Sequence, residues 1–191
     1  MIKAVIFDCF GVITTDGLDV LITECEVGKP SLRGQISDVI DRANRGRMPL
    51  DESRRRVAQL LDMTPHEYSM GVHAREARNN DLLEFIRQLR QTYTTVLLTN
   101  VTRESLNKRF TRRELETYFD YQFVSGELGI AKPDIEIYEC VLTSLNMPAS
   151  ACVFTDDRQR FLDPAFVMGM HTILFKNNEQ FFADIAGILP S

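Results

Sequence analysis

Five short apolar runs punctuate the chain: Ile2–Phe7, Thr94–Thr99, Tyr121–Val124, Ala151–Thr155 and Thr172–Phe175. Their hydrophobicity is continuous rather than alternating, the pattern of strands buried on both faces, as in a parallel sheet. Between them the period changes to that of a helix. Asp81–Leu89 places Leu82, Leu83, Phe85, Ile86 and Leu89 on one face, and Asp134–Leu145 does the same with Ile135, Tyr138, Val141, Leu142 and Leu145. Strands alternating with helices predict an α/β fold with a doubly wound parallel sheet.

The stretch from about Thr14 to Asn80 breaks this rhythm. It holds no convincing strand and reads as helices. Asp51 is placed to cap a helix carrying Val57, Leu60 and Leu61, and Thr64–Pro65–His66–Glu67 has the form of a capping box with proline at the first helical position. A crossover between parallel strands needs only about a dozen residues. The excess predicts a small helical domain, residues 14–80, inserted into a core made of 1–13 and 81–191. It is expected over the carboxyl ends of the strands, where open α/β sheets bind ligands.

Composition changes the picture only by exclusion. With 191 residues, 44% hydrophobic and 26% charged, the chain can bury a core without disulfides or metals. Its net charge of −5, from 22 basic and 27 acidic side chains, argues against a broad nucleic-acid-binding surface. No apolar run approaches the ~20 residues of a membrane span, and the amino terminus lacks the basic start and apolar stretch of a signal peptide. A cytoplasmic protein without membrane contact is the expectation. Cys9, Cys25, Cys140 and Cys152 form no CxxC pair and are expected to be reduced structural thiols.

Four segments at predicted strand ends carry candidate chemistry. Phe7–Asp8–Cys9–Phe10–Gly11–Val12 presents a carboxylate followed by a glycine that lets the chain turn away. Asp8 there is either a nucleophile or the cap of the next turn. Leu98–Thr99–Asn100 offers a hydroxyl and backbone N–H groups to an anionic oxygen, or an ordinary helix cap. In Ala131–Lys132–Pro133–Asp134 a lysine precedes a helix start, either balancing charge or solvated. Phe154–Thr155–Asp156–Asp157 sets two carboxylates side by side. They repel unless a cation or hydrogen-bond donors compensate, and oxygen-only ligands suit Mg²⁺; the alternative is a pair favoured by a helix dipole.

In this order and spacing the four segments resemble the haloacid dehalogenase-like (HAD) hydrolase superfamily over nearly the whole chain. The resemblance implies a Rossmann-like core, with Asp8 as nucleophile, Thr99 in the second motif, Lys132 in the third and Asp156–Asp157 as the acidic fourth. Residues Asp156 through Gly169–Met170 also follow the family's pattern. The insert matches the cap position of the subgroup that includes small phosphatases and dehalogenases. Mg²⁺ is implied as cofactor, held by Asp8, the Phe10 carbonyl, Asp156 and Asp157, with Asn100 and Gly11 as substrate contacts. The implied substrate is a small phosphorylated metabolite. The oligomeric state is left open.

One departure stands out. Phosphatases of the superfamily usually carry a second Asp two positions after the nucleophile, as acid and base; here the residue is Phe10. That loss removes assistance worth about 10²–10⁴-fold. It leaves open a catalytically silent or regulatory binding member. Dehalogenases of the superfamily carry an aromatic residue at this place but do not keep an acidic pair, so Asp156–Asp157 speaks against metal-free dehalogenation. Arg158 and Phe161 stand where a small polar residue and Asn or Gly are usual. His66, His73 and His171 are too dispersed to argue a metal site. Arg54–Arg55–Arg56 cannot form one helical face, though with Arg42, Arg45 and Arg47 the run could greet an anionic substrate from the insert.

Overall fold

A computed structural model describes residues 1–26 and 31–189; residues 27–30 of the expected insert, and 190–191, lie outside it. The strands are β1 (Ala4–Phe7), β2 (Thr94–Thr99), β3 (Tyr121–Val124), β4 (Cys152–Asp156) and β5 (His171–Leu174). They form one five-stranded sheet in the order β3-β2-β1-β4-β5, parallel throughout, so β1 is its centre. Phe7 lies opposite Leu97 on one side and Thr155 on the other.

Alternate residues of the strands feed two separate cores. Val5, Phe7, Leu97, Val153 and Ile173 pack on one face with α5 (Asn80–Leu89), α6 (Arg103–Asn107), α7 (Arg112–Tyr118) and α11 (Asn178–Ile188). Ala4, Ile6, Val96, Leu98 and Phe154 pack on the other with α9 (Ile135–Leu145) and α10 (Gln159–Val167). Both faces are covered, which is why hydrophobicity runs unbroken along the strands. A short helix α8 (Ser125–Leu128) follows β3.

Between β1 and α5 lie four helices: α1 (Gly17–Cys25), α2 (Leu32–Asn44), α3 (Leu50–Leu60) and α4 (Pro65–His73). They share an apolar cluster of their own, including Leu21, Ile36, Val57, Leu61 and Val72. The capping box at Thr64 and Glu67 is formed in full. Asp51 does not cap α3: the helix starts at Leu50, the N-cap is Pro49, and Asp51 sits in the first turn, where its charge still meets the positive helix end. Ion pairs tie these helices to the sheet's helices, Arg45 with Asp134 and Arg158 with Asp16. None of the described helices is long and apolar enough to cross a membrane. All four cysteines are free thiols, Cys9 and Cys152 buried.

Candidate active site

Three strand ends and one loop converge at the sheet's carboxyl edge. Asp8 follows β1, Thr99 ends β2, and Asp156 ends β4 with Asp157 next to it. Lys132 reaches them from the loop before α9. Its Nζ lies 2.8 Å from Asp8 Oδ1 and 2.6 Å from Asp156 Oδ2, with none of its side chain exposed. Burial alone pushes the Lys132 ammonium down, but Asp156 and Asp8 outweigh it and hold the group above its usual value.

Ligand oxygens of Asp8, Asp156 and Asp157 lie within 4.8 Å of one another. Lys132 alone does not balance three carboxylates, and the next cation, Arg158, has its Nε 3.9 Å from Asp157 Oδ2. Asp8 is pushed up to about 7, first by burial and then by Asp156 and Asp157, against the pull of Lys132. Asp157 is pushed up to about 6 by burial and by Asp156, with Arg158 opposing. Asp157 Oδ1 is buried without a hydrogen-bond partner among the described residues, and so is Thr99 Oγ1. The Phe10 carbonyl also accepts no hydrogen bond there. A buried carboxylate oxygen left bare costs about 1–3 kcal/mol or more, so these groups fit a cation with oxygen ligands.

The two expected substrate contacts, Asn100 and Gly11, also touch the protein's own site residues. The Asn100 side chain donates to the Lys132 carbonyl at 2.7 Å and accepts from the Lys132 N–H at 2.9 Å. Its amide fixes the loop that aims the ammonium and still keeps one N–H of Nδ2 beyond these two bonds. Gly11 has φ +91°, and a Cβ there would sit 2.3 Å from Asp157 Oδ2. Any larger residue would displace the carboxylate.

A cavity of about 1020 Å³ opens over the strand ends. Asp8, Phe10, Thr99, Asn100 and Lys132 line it from the sheet side, whereas Gly11, Asp156 and Asp157 do not. Ile36, Arg54 and Tyr68 are among the residues facing it from α2, α3 and α4. Of the basic residues proposed to greet an anion, Arg45 is held by Asp41 and Asp134 and Arg56 by Glu52, while Arg54, 3.4 Å from Asp51, lines the cavity.

Two ion pairs at this cavity escaped the sequence reading. Arg158 Nη2 donates to Asp16 Oδ2 at 2.7 Å. Arg109 pairs with Glu76 and lies over the Phe10 ring, 5.0 Å from its centroid. Neither has a local signature, since each joins segments far apart in the chain.

Comparison with known proteins supports the fold and places the family. A haloacid dehalogenase-like hydrolase family profile matches residues 2–160. Bifunctional epoxide hydrolase 2 of Sus scrofa is 34% identical over 91 residues, 46% of this chain but 16% of that protein, so the chain spans a small fraction of its length. Sesquiterpene phosphatase astK of Aspergillus oryzae is 27% identical over 175 residues, 88% of this chain and 87% of that one. A HAD family enzyme of Bacteroides thetaiotaomicron, solved with magnesium and inorganic phosphate, superposes with a TM-score of 0.76 at 19% identity, covering 95% of this chain and 99% of that one. With the family profile covering most of the chain, and its carboxylates and lysine gathered at one sheet edge, this protein belongs to the haloacid dehalogenase-like hydrolases.

Proposed function

We propose that the protein is a Mg²⁺-dependent phosphomonoester hydrolase of a small phosphorylated metabolite, with α1–α4 serving as a cap over the reaction site. The observation that carries this reading is the buried cluster of Asp8, Asp156 and Asp157, neutralised only in part by Lys132, with the bare Asp157 oxygen beside it. The donors are all oxygens, which suits Mg²⁺. Asp8, Asp156, Asp157 and the Phe10 carbonyl would hold the ion. When bound, it neutralises the carboxylates and polarises a phosphoryl oxygen.

The chain's own residues do the rest. Asp8 attacks phosphorus through its carboxylate, forming an aspartyl-phosphate that water then hydrolyses. Lys132, fixed by Asn100, balances charge on Asp8 and on the phosphoryl group. The unpartnered Thr99 hydroxyl donates to a phosphoryl oxygen. Gly11 keeps the chain clear of Asp157. A phosphatase among the relatives and the magnesium–phosphate complex among the structural neighbours support the same chemistry.

Phe10 favours a second reading, a member that binds a phosphorylated ligand without turning it over. Phosphate release from an aryl phosphate, with Mg²⁺ or with EDTA, separates the two. The hydrolase reading expects metal-dependent release that Asp8→Asn abolishes. Release unaffected by EDTA or by Asp8→Asn would refute it, and binding without release would favour the second reading.

A further inference from the structure

As the ester bond to phosphorus breaks, negative charge collects on the departing alcohol oxygen. A proton donor or a fixed cation must meet it unless the alcohol is acidic. Lys132 is already committed to Asp8 and Asp156. On the same cavity Asp16 is committed to Arg158, and Glu76 to Arg109.

Arg54, Lys108 and Arg160 also line the cavity, but Arg109, although paired with Glu76, is the cation that lies over the Phe10 ring. It stands just after α6, and its Nη1 donates to Ser105 O and Ser105 Oγ, both at 2.8 Å. Its Nε donates to Glu76 Oε1 at 2.8 Å, and its Nη2 makes a short contact with the same oxygen. These contacts take four of the five guanidinium N–H groups, leaving one on Nη2 without a partner among the described residues. The side chain is 19% exposed and Glu76 is 10% exposed, so water screens the charge little. The Phe10 ring, two residues after Asp8, supports the guanidinium plane from below.

We propose that Arg109 is a further catalytic residue, whose guanidinium binds the departing oxygen of the ester and stabilises its charge. The proposal rests on the hydrolase reading above. In the step, the bond from Asp8 to phosphorus forms as the phosphorus–oxygen ester bond breaks, and the electron pair stays on the alcohol oxygen beside Arg109. Water gives that oxygen its proton, and the hydroxide left behind attacks the phosphorus of the aspartyl-phosphate. The products are the alcohol, inorganic phosphate and free Asp8.

The competing role for Arg109 is a clamp between α6 and the segment carrying Glu76. The two roles differ in how the loss depends on the alcohol. The test is kcat/KM with Mg²⁺ across monoesters running from nitrophenyl to alkyl phosphates, for wild type, Arg109→Gln and Arg109→Lys. Removing one charge donor of this kind lowers turnover by about 10²–10³-fold. Arg109→Gln should lose that much on alkyl esters and less than about 10-fold on nitrophenyl phosphate, steepening the dependence on leaving-group acidity. Arg109→Lys keeps the charge and should restore part of the shallow slope. Equal loss on every ester overturns the proposal and leaves the clamp. If Arg109→Gln does not fold, Arg109→Lys decides: an intermediate slope supports the proposal, and an unchanged slope overturns it. A wild type inert on every ester overturns this proposal together with the hydrolase reading. Parallel losses beside an active, Asp8-dependent wild type overturn this proposal alone.

Discussion

Lys132→Met probes the charge balance on which the site depends. The thioether follows the path of the lysine stem between Phe154 and Phe161, whose ring centroids lie 5.3 and 5.2 Å from Nζ, but it removes the ammonium. Asp8 and Asp156 then lose the partner they hold at 2.8 and 2.6 Å, in a place where neither the lysine nor Asp156 is exposed at all. Breaking a buried ion pair from one side costs about 3–5 kcal/mol. For a chain of this size each kcal/mol lowers Tm by about 2–4 °C, so the expected fall is about 6–20 °C in EDTA near neutral pH. Two conditions should shrink it. Mg²⁺ supplies positive charge to the same carboxylates, and acid protonates Asp8, which titrates at about 7 even beside Lys132. Melting curves of both proteins at about pH 5.5 and pH 8, each with EDTA and with Mg²⁺, test all of this. A loss under ~1 kcal/mol, or one that neither acid nor Mg²⁺ reduces, would refute the reasoning.

Further outcomes follow from the same geometry. Phe10→Asp, if folded, should raise turnover of alkyl phosphates by up to about 10²–10⁴-fold and of aryl phosphates by less, since only the former need a proton; losing the half-buried ring costs up to about 3–5 kcal/mol, so the variant must first be shown to melt cooperatively. No gain on alkyl esters in a folded variant would contradict the assigned site. Gly11→Ala drives its Cβ onto Asp157 and strains the backbone at φ +91°, so the rise in Tm expected of the wild type with Mg²⁺ should be lost or greatly reduced, as read by thermal shift. In EDTA the wild-type protein should lose stability as pH rises from about 5 to about 7, above the range where the carboxylates paired with arginine titrate, because Asp8 and Asp157 bind protons more tightly folded than unfolded. The stability is complete below the unfolded values and is lost through the folded ones; a Tm that climbs through this window would show the carboxylates compensated some other way.

Much of the fold is legible because strand burial leaves an unbroken apolar run, and all five runs become strands. The ends drift for local reasons. Ala151 closes a turn of 3-10 helix and Asp156 instead completes β4 opposite Leu174, which moves that strand by one residue. Asp51 could not be told from a cap, because acidic residues favour the first turn as well as the N-cap. The carboxylates and Lys132 are legible as candidates because each lies at a strand end or in a loop before a helix, and a parallel sheet brings its strand ends together. Asn100 and Gly11 have a further part that spacing does not show. It depends on Lys132 and Asp157, neighbours only in the folded chain. Arg109 and Glu76 are charged residues without a motif, and only the turn after α6 carries one over Phe10.

The central claim is that Asp8 takes the phosphoryl group onto its own carboxylate. Acid quenching of the protein during turnover of an aryl phosphate with Mg²⁺, followed by peptide mass mapping, tests it most directly. The account predicts one phosphoryl group on the peptide carrying Asp8, absent in EDTA and absent in Asp8→Asn. Steady phosphate release with that peptide unmodified, or with the group on another residue, would contradict it.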